Sequence, residues 1–283
     1  MDVRSDVTAV DLSLIQITPL SSIQLKSSPL KPRCVTLSVV SHGHAVLIRA
    51  LIEALAGTSG EWISKVVVTN NLPSLDNFAD LAGWSSYPFA LKVINNAKPL
   101  GFGANHNQAF GHCETDYFCV INPDIEIVKD PFAAVLETLS QFGVAFAYPA
   151  QVNESYLLLD FERELVGPQS IIRRHFLGRR YRQQVGSPVH WVNGAFMAFD
   201  SSVYRILNGF DERYFMYCED VDICLRAQLA GYNFARANAI VVHHTRRSTL
   251  KSCEHLAWHA CSLLRLWSSA PYREFRKKLS CNF

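Results

Sequence analysis

The sequence predicts an α/β fold, in which an open and mostly parallel sheet is covered by helices on both faces. Short apolar segments rich in β-branched residues alternate with segments of helical spacing, and the connections between them are short. The predicted strands are residues 34–40, 65–69, 90–94 and 117–121. The predicted helices are residues 45–56, a segment from Gly101 to Phe110, and one that begins at Pro131.

Small polar residues follow each of the four predicted strands, at the point where the strand ends. The carboxyl ends of parallel strands meet at one edge of a sheet, and ligands bind in the crevice there. We therefore expect a polar site at this edge. The residues concerned are Ser41-His42, Asn70-Asn71, Asn95-Asn96 and Asn122-Pro123-Asp124.

Composition excludes several classes of protein. Of the 283 residues 49% are apolar and 18% charged, which is not typical of disordered, collagen-like or coiled-coil chains. No apolar run approaches the ~18 residues of a membrane-spanning helix, and no secretory signal is recognisable. The net charge of +2 does not favour nucleic acid as a partner. The eight cysteines match no zinc pattern, and they predict reduced thiols in a cytoplasmic protein.

The pattern divides the chain into a leader, a main domain and a C-terminal segment. Residues 1–33 are rich in serine and predict a leader that is partly disordered or adds an edge strand. Residues 34–250 form the main domain, which a polar, arginine-rich excursion at 151–188 interrupts. Residues 251–283 form a basic amphipathic segment. Further predicted elements are a helix at 203–207, a helix that opens at the acidic residues 219–222 and ends before Gly231, and a strand at 239–242.

Three groups of residues are candidates for chemistry. Asp124, just past a strand, could hold a divalent cation between two phosphates, or its Asn-Pro-Asp context could simply form a turn. The acidic residues 219–222 open a helix after an apolar approach, which suits a general base with a raised pKa; the alternative is an ordinary charged first turn. Asp222 and Arg226 are spaced to pair on one helix face. His243 is a candidate metal ligand or a surface histidine.

The glycines at 101 and 103 permit a close backbone approach to phosphate at a helix start. The third glycine of the dinucleotide-binding fingerprint is missing, so this signal is weak. No P-loop and no G-x-S-x-G motif occurs, which argues against P-loop chemistry and an α/β-hydrolase.

The order and spacing of these motifs resemble those of the family 2 glycosyltransferases. Within that family they are similar to the rhamnosyltransferase-like branch that builds O-antigens and other bacterial surface polysaccharides. The resemblance covers about residues 34–250. The matching segments are 39–41, 66–70, 96–105, Ile121-Asn-Pro-Asp124, Trp191-Val-Asn-Gly-Ala195, 208–212, 214–217, Glu219-Asp-Val-Asp222, 225–226, 230–231, His243 and Ser248.

The resemblance implies a GT-A fold, with residues 34–130 as the nucleotide-sugar half and 131–250 as the acceptor and catalytic half. It implies an inverting, metal-dependent transfer from a nucleotide-diphosphate sugar, such as a dTDP- or UDP-sugar, to a saccharide or lipid-linked acceptor. Asp124 would bind Mg²⁺ or Mn²⁺ on the donor diphosphate, with His243 as a further ligand. Asp220 would be the base that deprotonates the acceptor hydroxyl, beside Glu219 in the same catalytic pair.

The same resemblance assigns the remaining site positions. Ser41 and Asn70 would lie near the nucleobase and ribose, and Trp191 and Gly194 would line the acceptor side. The other donor-side candidates are Asn96, Gly101, Asn105 and Asn122.

The chain departs from the family pattern at two places. Thr69 stands where relatives usually carry an aspartate, which removes a carboxylate from the nucleoside pocket. Residues 244–247, His-Thr-Arg-Arg, replace a glycine-rich run, so either these arginines contact phosphate or the loop differs.

Two other functions compete with sugar transfer. A sugar-phosphate nucleotidyltransferase would carry a glycine-rich, lysine-bearing loop after the first strand, and residues 41–44 lack the lysine. A non-catalytic carbohydrate-binding protein would not need Asp124, Asp220 and His243 together.

Two basic regions indicate anionic partners. The cluster of arginines that includes Arg179 and Arg180 is predicted to face an anionic acceptor, the alternative being a solvated loop. Residues 254–278 combine leucine and tryptophan with a basic end, which predicts peripheral contact with the inner face of the plasma membrane. The competing interpretation is a helix packed on the catalytic domain.

Overall fold

The structure, a computed structural model, describes residues 31–78, 86–165, 167, 188–244 and 253–281. An eight-stranded sheet forms its centre, and a separate two-stranded sheet lies beside it. The strands of the large sheet are β1 (Val35–Ser41), β2 (Ile63–Asn70), β3 (Ala90–Asn95), β4 (Tyr117–Ile121), β5 (Ile125–Glu126), β6 (Val144–Val152), β9 (Phe196–Asp200) and β10 (Asn233–His243). The small sheet pairs β7 (Glu162–Arg163) with β8 (Trp191–Val192).

Seven helices are present in the described part of the chain. They are α1 (Ala45–Thr58), α2 (Phe102–Phe110), α3 (Phe132–Leu139), α4 (Ser201–Ile206), α5 (Glu219–Leu229), α6 (Cys253–Ser268) and α7 (Ala270–Cys281).

The large sheet is mostly parallel, as predicted. Its order is β3-β2-β1-β4-β9-β6-β10-β5, and only β9 and β5 run against their neighbours. The carboxyl ends of β1, β2, β3, β4, β6 and β10 therefore lie at one edge, together with the amino end of β9. We call this edge the carboxyl edge.

Helices cover both faces of the sheet, because successive strand residues point to opposite faces. In β2, Val66 and Val68 belong to a core beneath α1 and α3, whereas Val67 belongs to a second core beneath α2, α4 and α5. Aromatic side chains dominate the second core, where Phe118, Tyr204 and Phe210 are almost completely buried.

The sequence pattern did not predict β6 and β9, and β10 is longer than the predicted strand at 239–242. Both missed strands contain alanine and aromatic residues with few β-branched ones. Pro149 lies within β6, opposite a register shift in β10 between Arg236 and Ile240. A strand tolerates proline at such an irregularity, because no ladder hydrogen bond is lost there.

The C-terminal helices pack against α5 and form a third core. Leu266, Tyr272 and Phe275 are buried there with residues of α5 such as Leu225. This packing agrees with the interpretation of residues 254–278 as a segment held on the catalytic domain. Of the six leucine and tryptophan residues in 254–278, only Leu256 and Leu264 are largely exposed, at 59% and 65%.

Some predictions fall outside the described residues. The leader up to residue 30 is among them, and so is the arginine cluster that includes Arg179 and Arg180. In the described part of the chain, no helix is long and apolar enough to span a membrane. The seven cysteines whose side chains are described are free thiols.

Candidate active site

The carboxyl edge brings Asp124 and His243 together, although 118 residues of chain separate them. The short strand β5 pairs with the end of β10, so that Ile125 lies opposite His243. The backbone carbonyl of Asp124 accepts a hydrogen bond from the His244 N–H at 3.0 Å. Nε2 of His243 then lies 3.5 Å from Oδ1 of Asp124.

The Asp124 and His243 pair fits a divalent cation. Oδ1 of Asp124 is buried and has no hydrogen-bond partner among the described residues, which is costly unless another group compensates it. An imidazole nitrogen and a carboxylate oxygen that face the same space are suitable ligands for Mn²⁺ or Mg²⁺. The described residues contain no group of three or more His, Cys, Asp or Glu able to hold a metal ion.

The acidic pair Glu219 and Asp220 opens α5 at the same edge. The two preceding residues, Tyr217 and Cys218, adopt left-handed conformations with φ of 72° and 68°. Such strained backbone persists where the surrounding structure fixes it, and it is common at functional sites. Asp220 accepts hydrogen bonds from the Val221 N–H at 2.8 Å and from the Gly194 N–H at 3.3 Å.

Burial raises the pKa of both carboxyls in this pair. The pKa of Glu219 is raised well above its usual value by burial and by the neighbouring charge of Asp220. The pKa of Asp220 is raised mainly by burial, and its backbone hydrogen bonds and the charge of Arg163 oppose that shift. Asp220 therefore combines the hydrogen-bonded geometry and the raised basicity that a general base needs.

The acceptor-side candidates lie next to Asp220. Trp191 pairs with Arg163 across the small sheet, and the guanidinium carbon lies 5.1 Å from the centre of the indole ring. A Cβ at Gly194 would lie 3.6 Å from Cβ of Asp220, so this loop packs directly on the start of α5. The sequence analysis missed Arg163, because no local pattern reveals a pairing between strands 28 residues apart.

Three asparagines form a buried amide network at the predicted donor side. Nδ2 of Asn96 donates to Oδ1 of Asn71 at 2.8 Å and to Oδ1 of Asn105 at 2.7 Å. Asn71 in turn accepts from the Leu100 N–H at 2.8 Å. The predicted residues Asn96 and Asn105 thus hold the loop after β3. Asn122 is half-buried, and its N–H donates to the Ala195 carbonyl at 2.8 Å.

Asp76 organises the ends of β1 and β2 and was not predicted. Its carboxylate accepts from the Ser41 hydroxyl and from the N–H groups of Gly43 at 3.0 Å and Ala45 at 3.1 Å. It therefore lies at the amino end of α1, where the helix dipole favours a negative charge. Asn70 donates to its carbonyl at 3.2 Å. Ser41 and Asn70 are buried, and they orient the strand ends through Asp76.

The glycines at the start of α2 approach other parts of the protein closely, whereas the sequence predicted an approach to phosphate. A Cβ at Gly101 would lie 2.7 Å from the Phe215 carbonyl oxygen, and one at Gly103 would lie 2.6 Å from Cβ of Phe210. Both glycines are therefore required where the two halves of the domain pack together. A role for Gly101 in donor binding stays a prediction.

A cavity of about 280 Å³ opens at the carboxyl ends of β2 and β3. Asn71, Ser74, Asn96 and Lys98 contribute to its lining. A larger cavity, about 660 Å³, lies between α2 and α4 and contains none of the predicted site residues. The smaller cavity is the one that adjoins the predicted nucleoside position.

Comparisons with known proteins identify the family of this chain. The family described as "Glycosyltransferase like family 2" matches residues 32–258. Rhamnosyltransferase WbbL of Escherichia coli (strain K12) is 30% identical over 250 residues, which are 82% of this chain and 91% of that protein. An N-acetylglucosaminyl-diphospho-decaprenol L-rhamnosyltransferase of Mycobacterium tuberculosis (strain CDC 1551 / Oshkosh) is 31% identical over 162 residues, which are 51% of this chain and 52% of that protein.

Solved structures share the fold. A mannosyltransferase from Pyrobaculum calidifontis, in complex with GDP-Man and Mn²⁺, superposes with a TM-score of 0.58 at 16% identity, over 85% of this chain and 66% of that one. GalNAc-T7 with UDP, GalNAc and Mn²⁺ superposes with a TM-score of 0.60 at 12% identity, over 85% of this chain and 49% of that one. At these identities the likeness shows the fold alone, and the predicted GT-A fold is confirmed.

Proposed function

This chain belongs to glycosyltransferase-like family 2, and we propose that it moves a sugar from a nucleotide-diphosphate sugar to a saccharide or lipid-linked acceptor in surface polysaccharide synthesis. The observation that carries the proposal is that Asp124 and His243 face each other at the carboxyl edge, and that the Gly194 N–H, just before the amino end of β9 at the same edge, donates to Asp220. Asp124 and His243 would form a cation site, and Asp220 would act as the base.

Asp124 and His243 would hold Mg²⁺ or Mn²⁺. The ion, when bound, would neutralise the charge that develops on the diphosphate leaving group. The smaller cavity at the ends of β2 and β3 would take the nucleoside, with Asn71 and Asn96 in its wall. Thr69 replaces the aspartate that relatives usually carry at this position, and the proposal covers both dTDP- and UDP-sugars.

Asp220 would accept the proton of the acceptor hydroxyl, which is a poor nucleophile without a base. The Gly194 N–H and the Val221 N–H hold its two oxygens. Glu219 lies beside it, and burial and the charge of Asp220 raise the pKa of Glu219. A single base opposite the leaving group gives a single displacement, and hence inversion at the anomeric carbon.

The identity of the sugar and of the acceptor rests on the relatives. The names of the E. coli and mycobacterial relatives specify rhamnosyl transfer, and the latter specifies a diphospho-decaprenol acceptor. We therefore infer a rhamnosyl or related hexosyl donor and an anionic, lipid-linked acceptor. Arg163, stacked on Trp191 beside Asp220, lies where such an acceptor would approach. Arg179 and Arg180 keep their proposed acceptor-side role.

Peripheral membrane contact would bring the enzyme to such an acceptor. The exposed residues Leu256 and Leu264 lie two helical turns apart on α6, and α7 exposes Arg273, Lys277 and Lys278. Each cation near an anionic lipid surface contributes about 1 kcal/mol to binding.

Asp220→Asn tests the proposed function. Incubation of the purified protein with Mn²⁺, dTDP- or UDP-sugars and a polyprenyl diphosphate sugar should yield glycosylated lipid. The variant should bind the nucleotide normally and turn over roughly 10²–10⁴-fold more slowly, because it loses only the general base. The exposed Asp116→Asn serves as the matched control. Near-normal turnover by Asp220→Asn would remove Asp220 from this role.

A further inference from the structure

We propose that Gln151 is a positioning residue that fixes the tautomer of His243 and so presents Nε2 of the imidazole toward Asp124. The inference rests on the proposed function, because that function is what makes His243 a metal ligand. It extends that function by adding a residue that acts through His243.

Gln151 lies at the carboxyl end of β6, directly opposite Val241 of β10. Its side chain is almost completely buried, with 1% of the residue exposed. A buried amide must find hydrogen-bond partners for its polar atoms within the protein. Gln151 finds them in Asn193 and His243.

The amides of Gln151 and Asn193 face each other as a reciprocal pair. Nε2 of Gln151 donates to Oδ1 of Asn193 at 2.6 Å, and Nδ2 of Asn193 donates to Oε1 of Gln151 at 3.0 Å. Nδ1 of His243 lies 2.9 Å from the same Oε1 atom.

The backbone settles which way these amides point. The Ala195 N–H, which can only donate, faces Oδ1 of Asn193 at 3.4 Å. The Gln151 group that faces this oxygen must then be the NH₂, which leaves its oxygen toward His243. A ring nitrogen that faces an acceptor carries the hydrogen, so Nδ1 of His243 is the donor.

The Nδ1–H tautomer leaves a lone pair on Nε2, which is the atom 3.5 Å from Oδ1 of Asp124. Histidines that ligate metals are commonly held in this way, with the other ring N–H donated to a neighbouring group. Without the Gln151 oxygen, the imidazole could place its hydrogen on Nε2 and donate it to Asp124. That arrangement would remove a ligand from the cation site.

The same network reaches the catalytic base. Asn193 precedes Gly194, whose N–H donates to Asp220. Gln151 therefore connects the cation site to the loop that holds the base, through one reciprocal amide pair.

Two variants of Gln151 and one control test the inference. Gln151→Met keeps a similar shape but removes the acceptor, whereas Gln151→Glu keeps an oxygen for Nδ1–H. Tyr148→Phe is the control, because it deletes a different buried hydrogen bond of β6, from Tyr148 to Glu162. Thermal unfolding of all three variants would identify any that do not fold.

The first measurement is ¹⁵N NMR of the metal-free protein labelled in its histidine rings, with the His243 signals assigned by their loss in His243→Asn. The wild type and the Tyr148→Phe control should show the Nδ1–H tautomer at His243. Gln151→Met should shift the population toward Nε2–H, and Gln151→Glu should restore it. An Nε2–H tautomer in the wild type, or no change in Gln151→Met, would overturn the inference.

The second measurement is the affinity for Mn²⁺ alone, followed by electron paramagnetic resonance. Gln151→Met should bind Mn²⁺ about 10–100-fold more weakly than the wild type, the usual loss for such a partner of a metal ligand. If the wild type binds Mn²⁺ and Gln151→Met binds it equally well, the inference fails and the metal site stands. If the wild type binds no Mn²⁺ while the tautomer depends on Gln151, the proposed metal site is wrong, but the control of the His243 tautomer by Gln151 is supported.

Discussion

Asp220 shows how neighbouring residues set the basicity of a single carboxyl. Burial raises its pKa, and three backbone N–H groups and the charge of Arg163 oppose the shift. A base must be deprotonated to act, so kcat should fall as the pH is lowered through this raised pKa. The fall should begin at a higher pH than for an ordinary aspartate, whose pKa is about 3.9.

Arg163→Met should move this acid limb of the kcat profile to still higher pH. The substitution removes a positive charge that favours the ionised carboxylate, so the pKa of Asp220 rises further. The measurement is kcat against pH for the wild type, Arg163→Met and the control Arg205→Met, whose arginine stacks on Phe110 away from the site. An acid limb that stays in place in Arg163→Met would show that Asp220 is not the group that titrates.

At the scale of elements, α5 is fixed to the turn after α4 by one arginine. Nε of Arg226 donates to Oδ2 of Asp222 at 2.6 Å, as the spacing of four residues predicted. Its other nitrogens donate to the carbonyls of Leu207 and Gly209, the latter at 2.8 Å. Asp222 is almost completely buried, so its charge depends on this partner.

Arg226→Met should therefore lower the free energy of unfolding by about 3 kcal/mol, since it leaves a buried carboxylate uncompensated. The double variant with Asp222→Asn should recover part of this loss, because the buried charge is then absent. Denaturant unfolding of these variants and of Arg273→Met, an exposed control on α7, measures the effect. A loss equal to that of the control would contradict this role for the pair.

Elements that depend on interactions between nearby residues in the sequence could be predicted, and those that depend on distant residues could not. β1 to β4 and α1 were predicted because β-branched runs and helical spacing are local signals. The ends of these strands identified Asp124 and Asn70 for the same reason. The pairing of Arg163 with Trp191, and of Gln151 with Asn193 and His243, joins residues that are 28 to 92 positions apart. No local pattern encodes such contacts.

At the scale of the whole molecule, the C-terminal segment shows that helical spacing alone does not predict which face of a helix packs on the protein. Leucine and tryptophan occur around α6, so the sequence did not distinguish its packed face from its exposed one. The structure buries Leu266 against α5 and leaves Leu256 and Leu264 exposed. The apolar surface that α6 offers to a membrane is therefore much smaller than the sequence predicted.

Binding to anionic vesicles tests this smaller surface without removing the helices that complete the third core. The full chain should co-sediment with anionic vesicles at low salt, because α7 supplies cations and α6 two exposed leucines. The double variant Leu256→Ser and Leu264→Ser should bind less, whereas Leu158→Ser, an exposed leucine elsewhere, should bind as the wild type does. Equal binding by all three chains would exclude a role for these leucines.

The proposed sugar transfer depends most on one claim, that the carboxyl edge holds a cation on a nucleoside diphosphate. Calorimetric titration of UDP and dTDP into the protein, with Mn²⁺ and then with EDTA, measures this claim directly. We expect Mn²⁺ to strengthen binding of at least one nucleotide in the wild type and in the control Asp116→Asn, and to have no effect in Asp124→Ala. Equal affinities in Mn²⁺ and in EDTA for the wild type would contradict the account.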